Sequence, residues 1–541
     1  MNRNKALCPL AMSIMALMSP SVHAFVIDSG NPDLKLRWDN TFKYSSASRV
    51  EGASDKLTSS VNQDDGNRNF SSGLISNRLD LLSEFDVSYN GFGARVSGAG
   101  WYDTVYNESN DNNSPSTVNS FSRPFDEFTS DTEELHGQKA ELLDAFVFGR
   151  VALGDSKVTL RAGKHALVWG ESLFFGANGI AGGMVPIDAV KALSVPNTQF
   201  KELIRPVQQF SGQIQLTPDV SIGAYYQWRW EETRLPAAGS YFSTLDLLGD
   251  GGERLIVGAP VIPGGEPLAF FRRQDMKAKN SGQGGVQVRF SAGETDYGLY
   301  AIRYHDKTPQ LYLRPSGGLD PVSGRIGEFQ WVYPEDITAY GASFSHTFGA
   351  YNVAGEVSVR RNTPLVSDGA VDLTGTGDND GNPLYAVGNS VHAQLSWLAT
   401  LGPSLIANEA TFLGEVAWNR RTSVIKNPEV LNPNSDRDAA NVRVLYEPTY
   451  RQVFSGVDLS VPVGLGFGIG NSSVVGSFNG DHVGDFSIGL KAVYLNDWRG
   501  GLTYTHYFGP EGTFLDEGTH VSHKQSLKDR DFVSLSIQRT F

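Results

Sequence analysis

Apolar and polar residues alternate with a period of two along much of this chain. In one segment every second residue is apolar: Val220, Ile222, Ala224, Tyr226, Trp228 and Trp230. The residues between them are mostly polar or small: Ser221, Gly223, Tyr225, Gln227 and Arg229. Because successive side chains of a strand point to opposite faces, this pattern predicts a β-strand with one apolar and one polar face.

Segments of this kind recur from one end of the chain to the other. Their spans are 33–45, 78–89, 93–106, 141–152, 157–168, 208–217, 220–231, 283–291, 295–306, 337–348, 351–362, 389–401, 404–422, 441–454, 457–469, 484–495, 498–508 and 531–541. We therefore predict an antiparallel all-β fold of about 18 strands. The alternation is weakest in the pair 441–454 and 457–469, so 16 strands is the alternative.

Three features favour a transmembrane barrel over a soluble sandwich. The segments run for about 10–12 residues, which is the length that a tilted strand needs to cross a bilayer. Trp and Tyr residues cluster near segment ends, as in the aromatic girdles of membrane barrels. Short and long connections alternate, and the long polar ones are 46–77, 107–140, 232–281, 307–335, 363–388, 423–440 and 509–530. We interpret these as short periplasmic turns and long external loops of a closed barrel, which leaves no strand edge unpaired.

The N-terminus has the features of a cleaved secretory signal peptide. Arg3 and Lys5 are followed by a mostly apolar stretch over 6–18, and Val22-His23-Ala24 places small residues where a signal peptidase reads. We predict that residues 1–24 are removed and that 25–541 form a single barrel domain in the bacterial outer membrane. The chain has one cysteine, Cys8, so the mature protein is expected to have no disulfide.

The C-terminus has the pattern of an assembly signal for a membrane barrel. Val533, Leu535 and Ile537 alternate with polar residues, and the chain stops at the aromatic Phe541. We expect the barrel-assembly machinery to recognise this end. Outer-membrane lipid and lipopolysaccharide are expected to surround the folded barrel.

Residues 169–206 do not follow the strand pattern although they are rich in apolar side chains. The apolar positions singled out are Trp169, Phe174, Phe175, Ile180, Met184, Val185 and Ile187. Because an exposed external loop would leave them in water, we predict that the loop folds into the barrel and acts as a gate or substrate-binding surface. The alternative is a loop that packs on its neighbours over the rim.

Charged residues on the polar faces of the predicted strands are expected to line the lumen. They include Arg37, Asp80, Glu84, Arg95, Arg161, Arg229, Arg289, Arg303, Glu356, Arg360 and Glu415. Both signs are present, so these charges either pair into a rigid structural network or form an electrostatic path for a substrate. The arginines leave room for a modest preference for anions.

Charge and motifs exclude several other functions. The formal net charge is −14, so nucleic acid is not an expected partner. Asp378-Asn379-Asp380-Gly381 resembles the start of a calcium loop but lacks the final bidentate Glu. We expect no metal, no cofactor and no catalytic residues, because no serine-hydrolase, zinc, phosphate-binding or dinucleotide motif occurs. The protein is therefore not expected to be an enzyme.

Four segments together resemble one bacterial family: 36–41, 168–172, 333–337 and 355–360, which read LRWDNT, VWGES, YPEDI and GEVSVR. The chain is similar over about 25–541 to the uncharacterised proteobacterial outer-membrane family numbered 1302 among the domains of unknown function. The resemblance implies an outer-membrane barrel. It also implies an association with uptake of hydrophobic compounds and with a periplasmic lipid-binding-like partner. It carries no established catalytic or binding residues.

These observations lead to one main hypothesis and two alternatives. The main hypothesis is an outer-membrane channel or transporter for hydrophobic or amphipathic small molecules, such as lipid-, sterol- or terpene-like compounds, with 169–206 as the gate. The first alternative is a specific porin for small polar or anionic solutes. The second is a structural barrel, or one whose surface loops bind a partner.

Overall fold

A closed antiparallel β-barrel forms the body of the molecule. The computed structural model describes residues 25–154, 156–315 and 318–541, so the predicted signal peptide 1–24 lies outside the described residues. Within these ranges the barrel has eighteen strands, counting one interrupted strand as a single element. In chain order they are β1 (Leu34–Arg49), β2 (Gly73–Tyr89), β3 (Phe92–Asp103), β4 (Gln138–Leu153), β5 (Ser156–His165), β6 (Val207–Thr217), β7 (Val220–Gln227), β8 (Gln283–Ala292), β9 (Thr295–Tyr304), β10 (Ile337–Phe348), β11 (Tyr351–Pro364), β12 (Val387–Leu401), β13 (Glu409–Lys426), β14 (Asp438–Phe454), β15 (Val457–Ser460 and Val463–Ile469), β16 (Gly484–Tyr494), β17 (Trp498–Phe508) and β18 (Phe532–Thr540).

Each strand pairs with its sequence neighbours, and β18 pairs with β1 to close the barrel. A further three-residue strand, Phe25–Ile27, lies against β1. All eighteen predicted strands are confirmed, and the alternative of sixteen is wrong. The weak alternation in β15 has a local cause: the strand breaks at Val461-Pro462, where proline has no N–H to give to the ladder.

The two faces of the sheet have opposite character. Along β1, Asp39 and Lys43 point into the barrel and are buried, whereas Trp38 and Phe42 point outward and are exposed. The other strands likewise present large apolar side chains on the outer surface, among them Leu81, Val147, Leu299 and Val357. Such an apolar outer band is the surface that a barrel presents to lipid. The chain is therefore a transmembrane β-barrel of the outer-membrane type.

The two ends of the barrel differ in the length of their connections. At one end, here called the short-turn end, strands are joined by tight turns such as Asn90-Gly91 and Gly349-Ala350. At the opposite, long-loop end, the connections include 50–72, 104–137, 166–206, 228–282 and 305–336. The predicted alternation of short and long connections is confirmed.

The long loops fold into a structured cap, which the sequence analysis did not predict. In the described loops, five short strands form a second sheet: Arg254–Gly258, Leu268–Arg272, Gln310–Pro315, Arg325–Val332 and Ala370–Val371. Under this sheet lies an apolar core of Leu245, Leu247, Phe329 and Trp331, joined by Phe514 from the loop before β18. We call the cap the long loops that form this second sheet or pack against it.

Helices are short and lie in the loops. Those in the described residues are Asp65–Arg68, Ser130–Thr132, the π-helical turn Glu133–Gly137, Ala181–Met184, Ala189–Ser194, Phe200–Leu203 and the 3-10 turn Pro428–Val430. Among these described helices, none has the length and apolar character needed to span a membrane.

Candidate gate inside the barrel

The loop between β5 and β6 folds into the lumen, in agreement with the inward-folded loop predicted for residues 169–206. We call residues 169–206 the gate segment. Trp169, Ile180, Met184 and Val185 are at most 6% exposed. Asp188 caps the helix Ala189–Ser194, since its carboxylate accepts a hydrogen bond from the Lys191 N–H at 2.9 Å.

One side of the gate segment packs against an apolar patch on the inner wall. Trp169, Ile180, Met184 and Val185 share one cluster with inward-facing residues of β7, β9 and β10. The wall residues of that cluster are Tyr225, Tyr300, Ile302, Tyr304, Ile337 and Ala339. The Trp169 ring meets the Tyr225 ring edge to face, with centroids 5.0 Å apart. The contact between gate segment and wall is therefore apolar in the long-loop half of the lumen.

The adjoining wall, formed by β11 to β13, holds the gate segment through two buried carboxylates. Glu356 on β11 accepts hydrogen bonds from the N–H groups of Glu171 at 3.0 Å and Ile180 at 2.6 Å. Gly170 makes this approach possible, because a Cβ at that position would lie 2.1 Å from Glu356 Oε2.

Glu415 on β13 provides the second carboxylate anchor. One of its oxygens accepts from three successive N–H groups, those of Leu173 (3.1 Å), Phe174 and Phe175 (2.9 Å). A charged acceptor makes stronger hydrogen bonds than a neutral one. The three hydrogen bonds to Glu415 therefore fix one turn of the gate-segment backbone.

A cation and a buried amide complete the attachment to this wall. The Arg360 guanidinium donates to the carbonyl oxygens of Ala177 at 2.8 Å and Gly179 at 2.9 Å. Asn178, which is fully buried, lies 3.0 Å from the His392 ring and accepts from Asn419 at 3.3 Å. Asn178 could not be singled out from the sequence, because an isolated Asn in a loop carries no distinguishing pattern.

The later part of the gate segment reaches the wall formed by β1, β2 and β18. Lys201 forms an ion pair with Glu84 at 2.5 Å, and Asn197 donates to Ser536 at 2.7 Å. Lys43 donates to the Pro196 carbonyl at 3.4 Å. The gate segment therefore crosses the lumen and contacts opposite walls.

The remaining predicted gate residues have separate environments. Phe175 packs edge to face on Phe478, with ring centroids 5.6 Å apart, whereas the Phe174 side chain is 37% exposed. Ile187 is half-buried and forms a β-bridge with Ile204 inside the segment. The predicted apolar residues therefore do not form one surface.

Most of the predicted lumen charges face inward, where each is bound to an opposite charge or to backbone groups of the gate segment. Arg37 pairs with Asp39 at 2.6 Å, Arg95 with Glu84 at 3.2 Å, and Asp80 with Arg78 at 2.7 Å. Arg289 pairs with Glu171 of the gate segment at 3.5 Å. Arg161 makes no ion pair with any described residue and lies over the Phe146 ring at 6.0 Å. The network therefore mixes and largely neutralises both signs.

Two predicted lumen positions are wrong. Arg303 lies between Ile302 and Tyr304, which point into the barrel, so Arg303 points outward and pairs with Asp336 at 2.8 Å near the rim. Arg229 lies beyond the end of β7 at Gln227, in the rim loop, where its side chain is 57% exposed beside Glu231. The strand ends early because the Trp230 N–H donates to the Asn280 side chain rather than to a neighbouring strand.

One cluster at this rim has the residue types of a metal site but is already neutralised. His305, Glu335 and Asp336 each place a ligand atom within 4.8 Å of the others. Lys279 Nζ lies 2.7 Å from Glu335 and 2.9 Å from Asp336, so an ammonium group stands where a cation would bind.

The C-terminal strand has the predicted geometry. Leu535 points outward, with Val533 and Ile537 on the same face, and the Phe541 ring stacks on Phe42 with centroids 5.7 Å apart. Phe541 also exchanges two backbone hydrogen bonds with Asn40 of β1. Recognition of this end by the assembly machinery remains a prediction.

Comparison with solved structures finds outer-membrane proteins of very low sequence identity. OccAB4 of Acinetobacter baumannii is 10% identical, with a TM-score of 0.43, over 94% of this chain and 98% of that one. OpdK of Pseudomonas aeruginosa, crystallised with vanillate, is 10% identical, with a TM-score of 0.41 and the same coverage. OmpT of Vibrio cholerae is 9% identical, with a TM-score of 0.36, over 96% of this chain and 100% of that one.

Comparison by sequence gives one family and no curated relative. No curated protein shows significant similarity to the chain. A family described as "Protein of unknown function (DUF1302)" matches residues 5–541, which confirms the resemblance found in the sequence. The chain belongs to the DUF1302 family.

Proposed function

We propose that this protein is an outer-membrane channel for hydrophobic or amphipathic small molecules, and that the gate segment moves to let them pass. The observation that carries the proposal is the apolar contact inside the lumen, where Trp169, Ile180 and Met184 meet the wall of β7, β9 and β10. A lumen that conducts only polar solutes has no need of such a surface. We propose transport rather than catalysis.

The chemistry of this contact favours an apolar passenger. Separating the gate segment from the wall exposes the side chains of Ile302 and Met184, which are now buried. An apolar solute entering the gap would cover both surfaces again, at about 25 cal/mol per Å² of apolar area removed from water. A polar solute there would lose hydration without gaining a hydrogen-bond partner.

The porin hypothesis has less support. An anion-selective path needs cationic groups that are free to meet the solute. Arg37, Arg95 and Arg289 are paired with carboxylates, and Arg360 is bonded to carbonyl groups of the gate segment. The remaining candidate, Arg161, is a single site near the short-turn end.

A reversible covalent lock tests whether the gate segment must move. A Cβ at Gly341 on β10 would lie 2.9 Å from Cγ1 of Ile180, so Ile180→Cys with Gly341→Cys brings two thiols within disulfide reach. Cys8 is the only natural cysteine and lies in the predicted signal peptide, so the mature background has no competing thiol. Uptake of an apolar fluorescent dye and of a polar sugar would be followed in proteoliposomes before and after oxidation.

We expect oxidation to abolish dye uptake and dithiothreitol to restore it. The reduced double variant and the single variant Ile180→Cys are the controls, and both should take up dye under oxidising conditions. Uptake that persists in the locked protein would refute a moving gate. Uptake of the sugar but not the dye would refute the apolar substrate and favour the porin.

A further inference from the structure

Three acidic side chains from distant parts of the sequence meet in the cap. Asp64 and Asp65 lie in the loop between β1 and β2, and Asp246 lies in the loop between β7 and β8. Each places one carboxylate oxygen within 4.8 Å of the others. All three are buried, with exposed fractions of 0%, 5% and 1%.

Several oxygens at this place have no hydrogen-bond donor among the described residues. Asp64 uses one oxygen to accept from Arg68, and Asp246 uses one to accept from the Asp65 N–H at 3.2 Å. The other oxygen of each, Oδ1, is buried and unpartnered. The Asn119 N–H donates to Asp65 at 2.9 Å, yet its own side-chain oxygen is also buried without a partner. Burying an unsatisfied oxygen is costly, and more so when it is charged.

The nearby cations leave most of this charge uncompensated. Among the described residues, Arg68 is the one cation that contacts any of the three carboxylates, and it does so through Asp64. Arg254 and Arg530 are close by, but Arg530 donates to the Tyr241 and Ser243 carbonyls and Arg254 donates to backbone carbonyls and Glu266.

The rim cluster of His305, Glu335 and Asp336 differs, because Lys279 and Arg303 neutralise it.

We propose that Asp64, Asp65 and Asp246 bind a divalent cation, best matched by Ca²⁺, with the Asn119 side-chain oxygen as a further ligand. All four are hard oxygen donors, which suit Ca²⁺ and Mg²⁺ rather than zinc or copper. Mg²⁺ usually keeps several of its waters and is seldom held by protein ligands alone, whereas Ca²⁺ accepts six to eight oxygen ligands, including carboxylates and amide carbonyls. A buried site made of side-chain oxygens therefore suits Ca²⁺ better than Mg²⁺.

Such an ion would tie three long loops together. Its ligands come from 50–72, 104–137 and 228–282, which belong to separate hairpins of the barrel. The expectation of no metal rested on motifs along the sequence, and this site is assembled only when those loops meet. Calcium at the cell surface would then hold the cap closed over the barrel.

The test is calorimetry on the full mature chain, refolded in detergent without lipopolysaccharide so that lipid-bound calcium does not contribute. After chelation, CaCl₂ and MgCl₂ are titrated separately. We expect one Ca²⁺ per chain, weaker binding of Mg²⁺, and a rise in the Tm of the cap on adding calcium. Absence of calcium binding by the folded wild type would overturn the proposal without reference to any variant.

Matched substitutions locate the site. Asp65→Asn and Asp246→Asn keep the size of each side chain and should each abolish stoichiometric binding. Asp336→Asn, in the cluster that Lys279 neutralises, is the control and should bind calcium as the wild type does. Folding of each variant is checked by its heat-modifiable mobility in gel electrophoresis. Binding retained in both Asp65→Asn and Asp246→Asn, or lost equally in Asp336→Asn, would overturn the assignment.

Discussion

The attachment of the gate segment to β13 provides the sharpest test of gating. Glu415 is fully buried, and one of its oxygens accepts from the N–H groups of Leu173, Phe174 and Phe175. Glu415→Gln keeps the length and shape of the side chain, removes its charge and replaces one of its two oxygens by an NH₂ group. The variant therefore weakens the anchor without creating a cavity.

The size of the effect can be worked from these three hydrogen bonds. A hydrogen bond to a charged group contributes about 1.5–3 kcal/mol, against about 1 kcal/mol for a neutral pair. Losing about 1 kcal/mol at each of three bonds weakens the anchor by about 3 kcal/mol. Since 1.4 kcal/mol corresponds to a factor of ten, the equilibrium between released and anchored gate should shift by about 100-fold.

Single-channel recording in a planar bilayer measures that shift as the fraction of time spent conducting. Glu447→Gln is the matched control, because Glu447 also faces the lumen on β14 but pairs with Lys491 at 3.0 Å. We expect rare openings in the wild type and in Glu447→Gln, and far more frequent openings in Glu415→Gln. Equal open fractions in all three proteins would refute the idea that this carboxylate holds the gate.

Four further predictions follow from the gate and the cap. Deleting 170–206 should turn a nearly silent barrel into a steadily conducting one, and a deletion variant that folds and stays silent would contradict the gate. Phe174→Asp should slow uptake of an apolar dye with little change in Tm, since Phe174 is partly exposed. Phe175→Asp should slow uptake and also lower the Tm, because Phe175 packs on Phe478. Trp331 is buried and donates to the Leu247 carbonyl, so Trp331→Ala should destabilise the cap by about 3–5 kcal/mol. Its loops should then become open to protease while the barrel stays heat-modifiable. Burial lowers the pKa of His136, in the cap, from 6.5 to about 3. The folded state therefore loses stability as the pH falls below 6.5, and about 2 kcal/mol of the free energy of unfolding should be lost at pH 5. The variant His136→Gln should lack that part of the pH dependence of the Tm.

The strands could be predicted because their pattern is local and is imposed by the bilayer. Outward positions such as Phe42 and Leu299 must be apolar wherever lipid surrounds the barrel, so the period of two is visible without knowledge of the partner strands. That residues 169–206 would be buried was also predictable, but whether they would fold into the lumen or pack over the rim was left open by the sequence. An apolar stretch without strand alternation has to be buried somewhere.

The cap and the cluster at Asp64, Asp65 and Asp246 were not predictable in this way. The strands of the cap are only two to eight residues long and pair across loops that are far apart in sequence. Strands as short as Ala370–Val371 carry no periodicity of their own. Their positions depend on the barrel that brings the loops together.

The wrong assignment of Arg303 has a physical cause that bears on gating. The sequence was interpreted with polar residues inward and apolar residues outward, but on β9 this order is inverted because Tyr300, Ile302 and Tyr304 face the gate segment. An open, water-filled lumen would expose this patch, at about 1.5–3 kcal/mol for each large apolar side chain that loses its cover. With Ile337 from β10 among them, release of the gate segment alone would cost several kcal/mol. If the protein transports apolar molecules as we propose, opening is favoured when such a molecule takes the place of the gate segment, and the patch that the gate segment covers would then also select the substrate.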